Sequence, residues 1–113
     1  MDGSILMDVR EMCNVNRDDD SFDGQIVPLI NTYLFRSAQF GVGKRGFFVK
    51  NGNETWEDFV ETAPENFEAL KNYISIRVML IFDPPENAAL LKAYKEEADE
   101  LGWCLYDEAE VGG

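Results

Sequence analysis

Apolar positions along this chain recur at three- and four-residue spacings over four stretches, which predicts helices rather than strands. Ser4 stands as N-cap before Ile5, Leu6, Val9, Met12 and Cys13, a short amphipathic helix. The polar run from Asn14 to Asp20 reads as a loop. A second helix follows from about Ser21 to Gln39, burying Phe22, Ile26, Leu29, Ile30, Tyr33 and Leu34. Pro28 fits only the first turns of a helix, so the regular part is expected to begin nearer Val27, and Gly41 and Gly43 to end it. Next, Phe47 to Lys50 has strand character and Asn51-Gly52 is a turn signal, predicting a short β-hairpin-like excursion near residues 46–55.

Thr55 with Asp58 marks a small helical start, Trp56 to Val60, and Thr62 to Glu65 repeats the capping logic before a third long helix, Pro64 to Phe82. That helix is apolar over more than half its circumference, with Phe67, Leu70, Ile74, Val78 and Ile81 on one face and Tyr73, Ile76 and Leu80 beside it. It is therefore the expected central element. Asp83-Pro84-Pro85-Glu86 stops it. Two prolines fit a first turn, and Asp83 with Glu86 has capping-box spacing, so these four residues are expected to form a rigid corner and to start the last helix. From Pro84 to about Ala109 that helix would reach roughly 39 Å, with a narrow apolar seam of Leu91, Tyr94, Ala98, Leu101 and Leu105 and Gly102 as a kink point. The expected fold is mainly α: a small bundle of about four helices with a long C-terminal one, residues 1–113 forming a single domain.

Charge sharpens this picture. The formal net charge is −12 with no histidine, and it is uneven. Residues 1–50 hold seven acids and six bases, whereas residues 51–113 hold fifteen acids and four bases. Such a surface repels phosphate backbones, which disfavours sequence-reading nucleic-acid binding. It suits a solvated face, an assembly subunit kept soluble, or a surface that keeps DNA from sticking. No stretch of about 18 uncharged apolar residues suggests a membrane span, and no signal-peptide core is expected at the N-terminus. The two cysteines, Cys13 and Cys104, lack metal-type spacing and read as reduced, half-buried thiols.

Motifs for chemistry are weak. Gly41 to Gly46 satisfies G-x-G-x-x-G, but a helix precedes it where a nucleotide site needs a strand. Asp19-x-Ser21-x-Asp23-Gly24 imitates an EF-hand opening, yet Ile30 stands where the bidentate Glu belongs and Pro28 intrudes. With no histidine, no nucleophile elbow and no paired cysteine, no catalytic residue, metal ligand or cofactor is expected. Aromatics are the better functional candidates, because they bury much area with few rotamers. Trp103, off the narrow seam, and Tyr106, Phe47 and Phe48 are candidate interface residues; Trp56 reads as core.

The segment Tyr73 to Pro85, an aromatic-aliphatic helix closing on Leu-Ile-Phe-Asp-Pro-Pro, resembles the signature of head-tail connector (adaptor, head-completion) proteins of long-tailed bacteriophages and prophages. Supporting pieces follow in order: the leading helix ending near Met12, the acidic loop Asp18 to Asp23, the helix end Gln39 to Gly43, and Thr55-Trp56-Glu57-Asp58-Phe59. Cys13-Asn14 departs from the leucine-glycine helix end of that family, and Pro28 is unusual for it. The resemblance implies a helical virion subunit, made in the bacterial cytoplasm, that forms a ring beneath the portal and joins capsid to tail. Its partners would be copies of itself, the portal and a tail-side head-completion protein, with DNA only as passing cargo. Within such a ring Glu96, Glu97 and Glu100 are the candidate acidic, channel-facing residues. The competing reading is an acidic adaptor or DNA mimic that binds a basic partner protein.

Overall fold

The computed structural model describes residues 3–60 and 67–112, with side chains in the last helix described as far as Leu105. Among them are five helices: α1 (Ile5–Met12), α2 (Asp23–Gln39), α3 (Trp56–Phe59), α4 (Phe67–Phe82) and α5 (Ala88–Gly112). The mainly α bundle expected from the periodicity is observed, with α3 a single added turn. The capping sequence Thr62 to Glu65 and the helix start at Pro64 lie outside the described residues.

Local chemistry sets most helix ends. The Ser4 hydroxyl accepts the Met7 amide at 3.3 Å to open α1. Its last turn is closed by amides of Asn14 and Val15 donating to the carbonyls of Glu11 and Arg10, with Asn14 at φ +63°. Asparagine thus takes the left-handed position that glycine usually fills. The end of α2 repeats the geometry: Gly41 at φ +95° donates to Ala38 and Val42 donates to Ser37. In α3, Thr55 and Asp58 exchange side-chain and backbone hydrogen bonds, both 3.1 Å, in a full capping box.

Two starts differ from expectation. Helix α2 begins at Asp23 and runs through Pro28. The missing proline amide deprives only the Gly24 carbonyl, and both residues are exposed, so the unpaired oxygen carries little penalty. Helix α5 is capped not by Asp83 but by Asn87, whose side chain accepts the Leu90 amide at 2.9 Å. Each of Asp83 and Pro84 precedes a proline, and that position is biased away from the helical region. Residues Asp83 to Glu86 therefore form the connection itself. Asp83 closes α4 through its amide to Met79 at 2.8 Å and receives the Asn14 side-chain amide at 3.3 Å, which ties the end of α1 to the corner.

Helix α4 lies at the centre, packed by α1, α2 and α5, and α1 also packs on α2. It buries Leu70, Tyr73, Ile74, Ser75, Ile76, Val78 and Met79, whereas Ile81, expected inside, is 55% exposed. The seam of α5 follows expectation, with Ala98 and Leu105 buried and Leu91, Tyr94 and Leu101 half-buried. Gly102 does not break α5. A Cβ there would sit 2.9 Å from Tyr73 Cε1, so glycine permits close helix approach. At roughly 37 Å, α5 is as long as the molecule's greatest extent of 37 Å.

The excursion at 46–55 has no strand ladder; the β pairing among the described residues is a bridge between Ser4 and Thr55. An asparagine side chain replaces the missing strand. Asn31 accepts the buried Val49 amide at 2.8 Å and donates to the Val49 carbonyl at 3.1 Å. Asn31→Ala is expected to lower stability by about 2–3 kcal/mol, since it orphans two backbone groups of a buried residue. Urea unfolding together with amide hydrogen exchange at Val49 checks this, and unchanged exchange would refute the clamp.

Candidate interaction surfaces

Two surfaces stand out once the core is set aside. The first is the outer face of α5. Residues 96, 100 and 103 follow i, i+4, i+7 spacing and so line one face, opposite the buried seam. Glu96, Glu97 and Glu100 are all exposed, and Trp103 is 71% exposed. Of the expected interface positions, Trp103 therefore shares a helix face with Glu96 and Glu100, while Glu97 is exposed to one side of it. Asp99 beside them is tied to Arg77 at 2.9 Å, and Arg77 stacks over Tyr73. Tyr106 lies on α5, but its side chain is outside the described ones.

The second surface is built by α2 and the excursion behind it. Phe47 is half-buried, its ring 5.4 Å from that of buried Phe59, while Phe48 is 56% exposed. Of the two, the structure leaves Phe48 outward. Phe35, on α2, is also 56% exposed and lies one turn beyond Asn31, on the helix face that Asn31 presents to Val49. Phe35 and Phe40 escape sequence reading because neither sits on the apolar stripe of α2. One signal was available: residues 24–53 contain no Asp or Glu, yet carry Arg36, Lys44, Arg45 and Lys50, all exposed. None of these four is ion-paired among the described residues, and Arg36 stacks over Tyr33 at 5.2 Å.

The glycine motif serves folding. Gly43 at φ +93° lies against Phe59, whose ring a Cβ would overlap, and the Lys44 amide donates to the Phe59 carbonyl at 2.8 Å. In the acidic loop, hydrogen bonds from the Ser21 hydroxyl and amide hold the Asp19 carboxyl below its usual range. Both Asp23 oxygens are engaged by Arg10, at 3.1 and 2.7 Å. Among the described residues no group of three or more Cys, Asp or Glu is placed to hold a metal ion. No described helix is long and apolar enough to cross a membrane.

A family model described as phage connector protein matches residues 5–112. The chain belongs to the phage connector protein family. That family is a structural one of the phage head-tail junction, as the order of motifs from Met12 to Pro85 implied. No curated protein and no solved structure matches the connector chain.

The connector's two cysteines are unlike each other. Cys13 is buried at the end of α1, where burial, and then the Asp83 carboxylate, push its thiol up to about 12; Cys104 is exposed rather than half-buried. Native connector should show one thiol reacting promptly with an aromatic disulfide reagent and the second only on unfolding, and prompt reaction of both would contradict the packing. The sign of the linkage also follows. Between its ordinary value of 9.0 and 12 the unfolded chain ionises Cys13 and the folded chain does not. Stability is thus complete below about pH 9 and falls as pH rises toward 12, read as a declining urea midpoint in wild type that is flatter in Cys13→Ala.

Proposed function

We propose that this connector is a ring-forming virion subunit that joins the portal of the capsid to the tail and leaves a channel for DNA. The family match over residues 5–112 carries the reading. The architecture supports it: a ring repeats one heterologous contact about an axis, so each subunit needs two different outward faces on a stiff frame. Here a buried central helix, a five-residue elbow at 83–87 and an α5 spanning the molecule supply such a frame. The partners in this reading are copies of the chain, the portal protein and a tail-side head-completion protein. DNA passes without being gripped, as the net charge of −12 favours.

The test is the composition of purified virions. A fixed copy number per particle, with tailless full heads when the gene is deleted, is the expected result; absence from virions would reject the role. The carboxylates exposed on α5 favour one competing reading, an acidic adaptor or DNA mimic. That reading predicts a salt-sensitive complex with a basic protein and no place in the particle.

A further inference from the structure

We propose that the outer face of α5 in one subunit docks on the surface formed by α2 and the excursion of a second copy. This rests on the connector reading and specifies its subunit contact. Three observations carry it. The two surfaces are opposite in charge: the α5 face carries exposed Glu96 and Glu100 beside Trp103, while residues 24–53 hold four bases and no acid. Each presents large apolar side chains to solvent, Trp103 on the first and Phe35 and Phe48 on the second. And the helices that carry them, α2 and α5, each pack principally on α4, so their outer faces turn away from that shared helix.

One copy therefore cannot satisfy its own complement, but a neighbour can. The contact is head-to-tail, the heterologous kind that closes into a ring when the rotation per subunit allows. Trp103 supplies the anchor, because a tryptophan rimmed by charge excludes water at the centre of a contact. Glu96 and Glu100 on its face then meet the guanidinium and ammonium groups of Arg36, Lys44, Arg45 and Lys50 in the next copy, which sets register and orientation. This takes Glu96 and Glu100 away from the channel lining expected of them and gives them to the subunit boundary.

A charge exchange tests the pairing. In one variant, Glu96→Lys with Glu100→Lys sets lysines beside Trp103 against the bases of the second surface. In the other, Lys44→Glu with Arg45→Glu sets carboxylates on the second surface against Glu96 and Glu100. All four side chains are exposed, and the Lys44 amide bond to Phe59 survives substitution. Sedimentation from micromolar to millimolar protein should show wild type associating with concentration, less so in high salt. Each variant alone should associate about a hundredfold more weakly. An equimolar mixture should recover association, since every contact in an alternating assembly is again between opposite charges. Trp103→Ala should weaken wild-type association without altering the circular dichroism of the monomer.

Wild type that stays monomeric up to millimolar concentration would overturn the proposal. So would variants that associate as wild type does, or a mixture that does no better than its components. Virion copy number separates the two claims. A connector present in particles whose assembly ignores these reversals keeps its role and loses this interface. A self-associating chain absent from particles does the opposite.

Discussion

Replacing Trp56 by alanine is expected to cost about 3–5 kcal/mol, a large part of the roughly 5–15 kcal/mol that holds a chain of this size folded. Trp56 has no exposed surface. Its indole Nε1–H donates to Asp8 Oδ2 at 2.8 Å, and its backbone amide donates to the Gly3 carbonyl at 2.9 Å. The Ile5 amide returns a bond to the Glu54 carbonyl, so the turn at 54–60 and the start of α1 are clasped around this ring. Removal opens a cavity where α1 and α3 meet and frees a carboxylate oxygen of Asp8, whose other oxygen stays paired with Arg17 at 2.8 Å. Trp56→Phe keeps most of the volume and loses the hydrogen bond, so about 1–3 kcal/mol is expected. Far-ultraviolet circular dichroism against urea follows unfolding in wild type and both variants alike, since the helices and not the indole supply the signal. A urea midpoint unmoved by Trp56→Ala would mean that the ring is not core.

What could be read from the chain divides by range. Ser4, the Thr55–Asp58 box and Gly41 were legible because each acts within a few residues, where spacing and side-chain chemistry suffice. The start of α5 was local too, but two caps competed, Asp83 and Asn87. The steric effect of a proline on its predecessor decided for Asn87, and capping pattern alone does not contain it. Pro28 misled in the opposite direction, because an exposed helix face tolerates one unpaired carbonyl.

Contacts that reach across the chain left no trace in periodicity. Asn31 to Val49, Trp56 to Asp8 and Arg10 to Asp23 span 18, 48 and 13 residues. Nothing in Asn31 or Arg10 by itself announces a partner. The candidate surface shows the same division. Trp103 was legible as off the seam of a long regular helix, whereas the outward Phe48 and the inward Phe47 belong to an excursion held to α2 by the long-range bonds of Asn31 to Val49. The channel assignment of Glu96, Glu97 and Glu100 came from family resemblance, and helix geometry adds what resemblance lacked: a tryptophan on the face of Glu96 and Glu100.

Asp23→Ala should destabilise the protein by about 3–5 kcal/mol, more than an exposed ion pair would. The Arg10 side chain is 7% exposed, and the geometry leaves little of it unsatisfied. Nε and Nη2 donate to the two oxygens of Asp23 at 3.1 and 2.7 Å, and Nη1 donates to the Arg17 carbonyl at 2.6 Å. Removing the carboxylate strands a cation in the core, and the penalty is that of an unpaired buried charge rather than the net value of the pair. Asp23 is also the first residue of α2, where a negative charge favours the helix N-terminus. The loop from Asn14 to Phe22 depends on the same guanidinium, so its amides should exchange faster in the variant. Arg10→Met combined with Asp23→Ala removes cation and anion together and should recover part of the loss. A double-mutant cycle on urea midpoints measures the coupling. If Asp23→Ala alone cost less than about 0.5 kcal/mol, Arg10 would have to reach water, and α1 and α2 would not be joined through a buried ion pair.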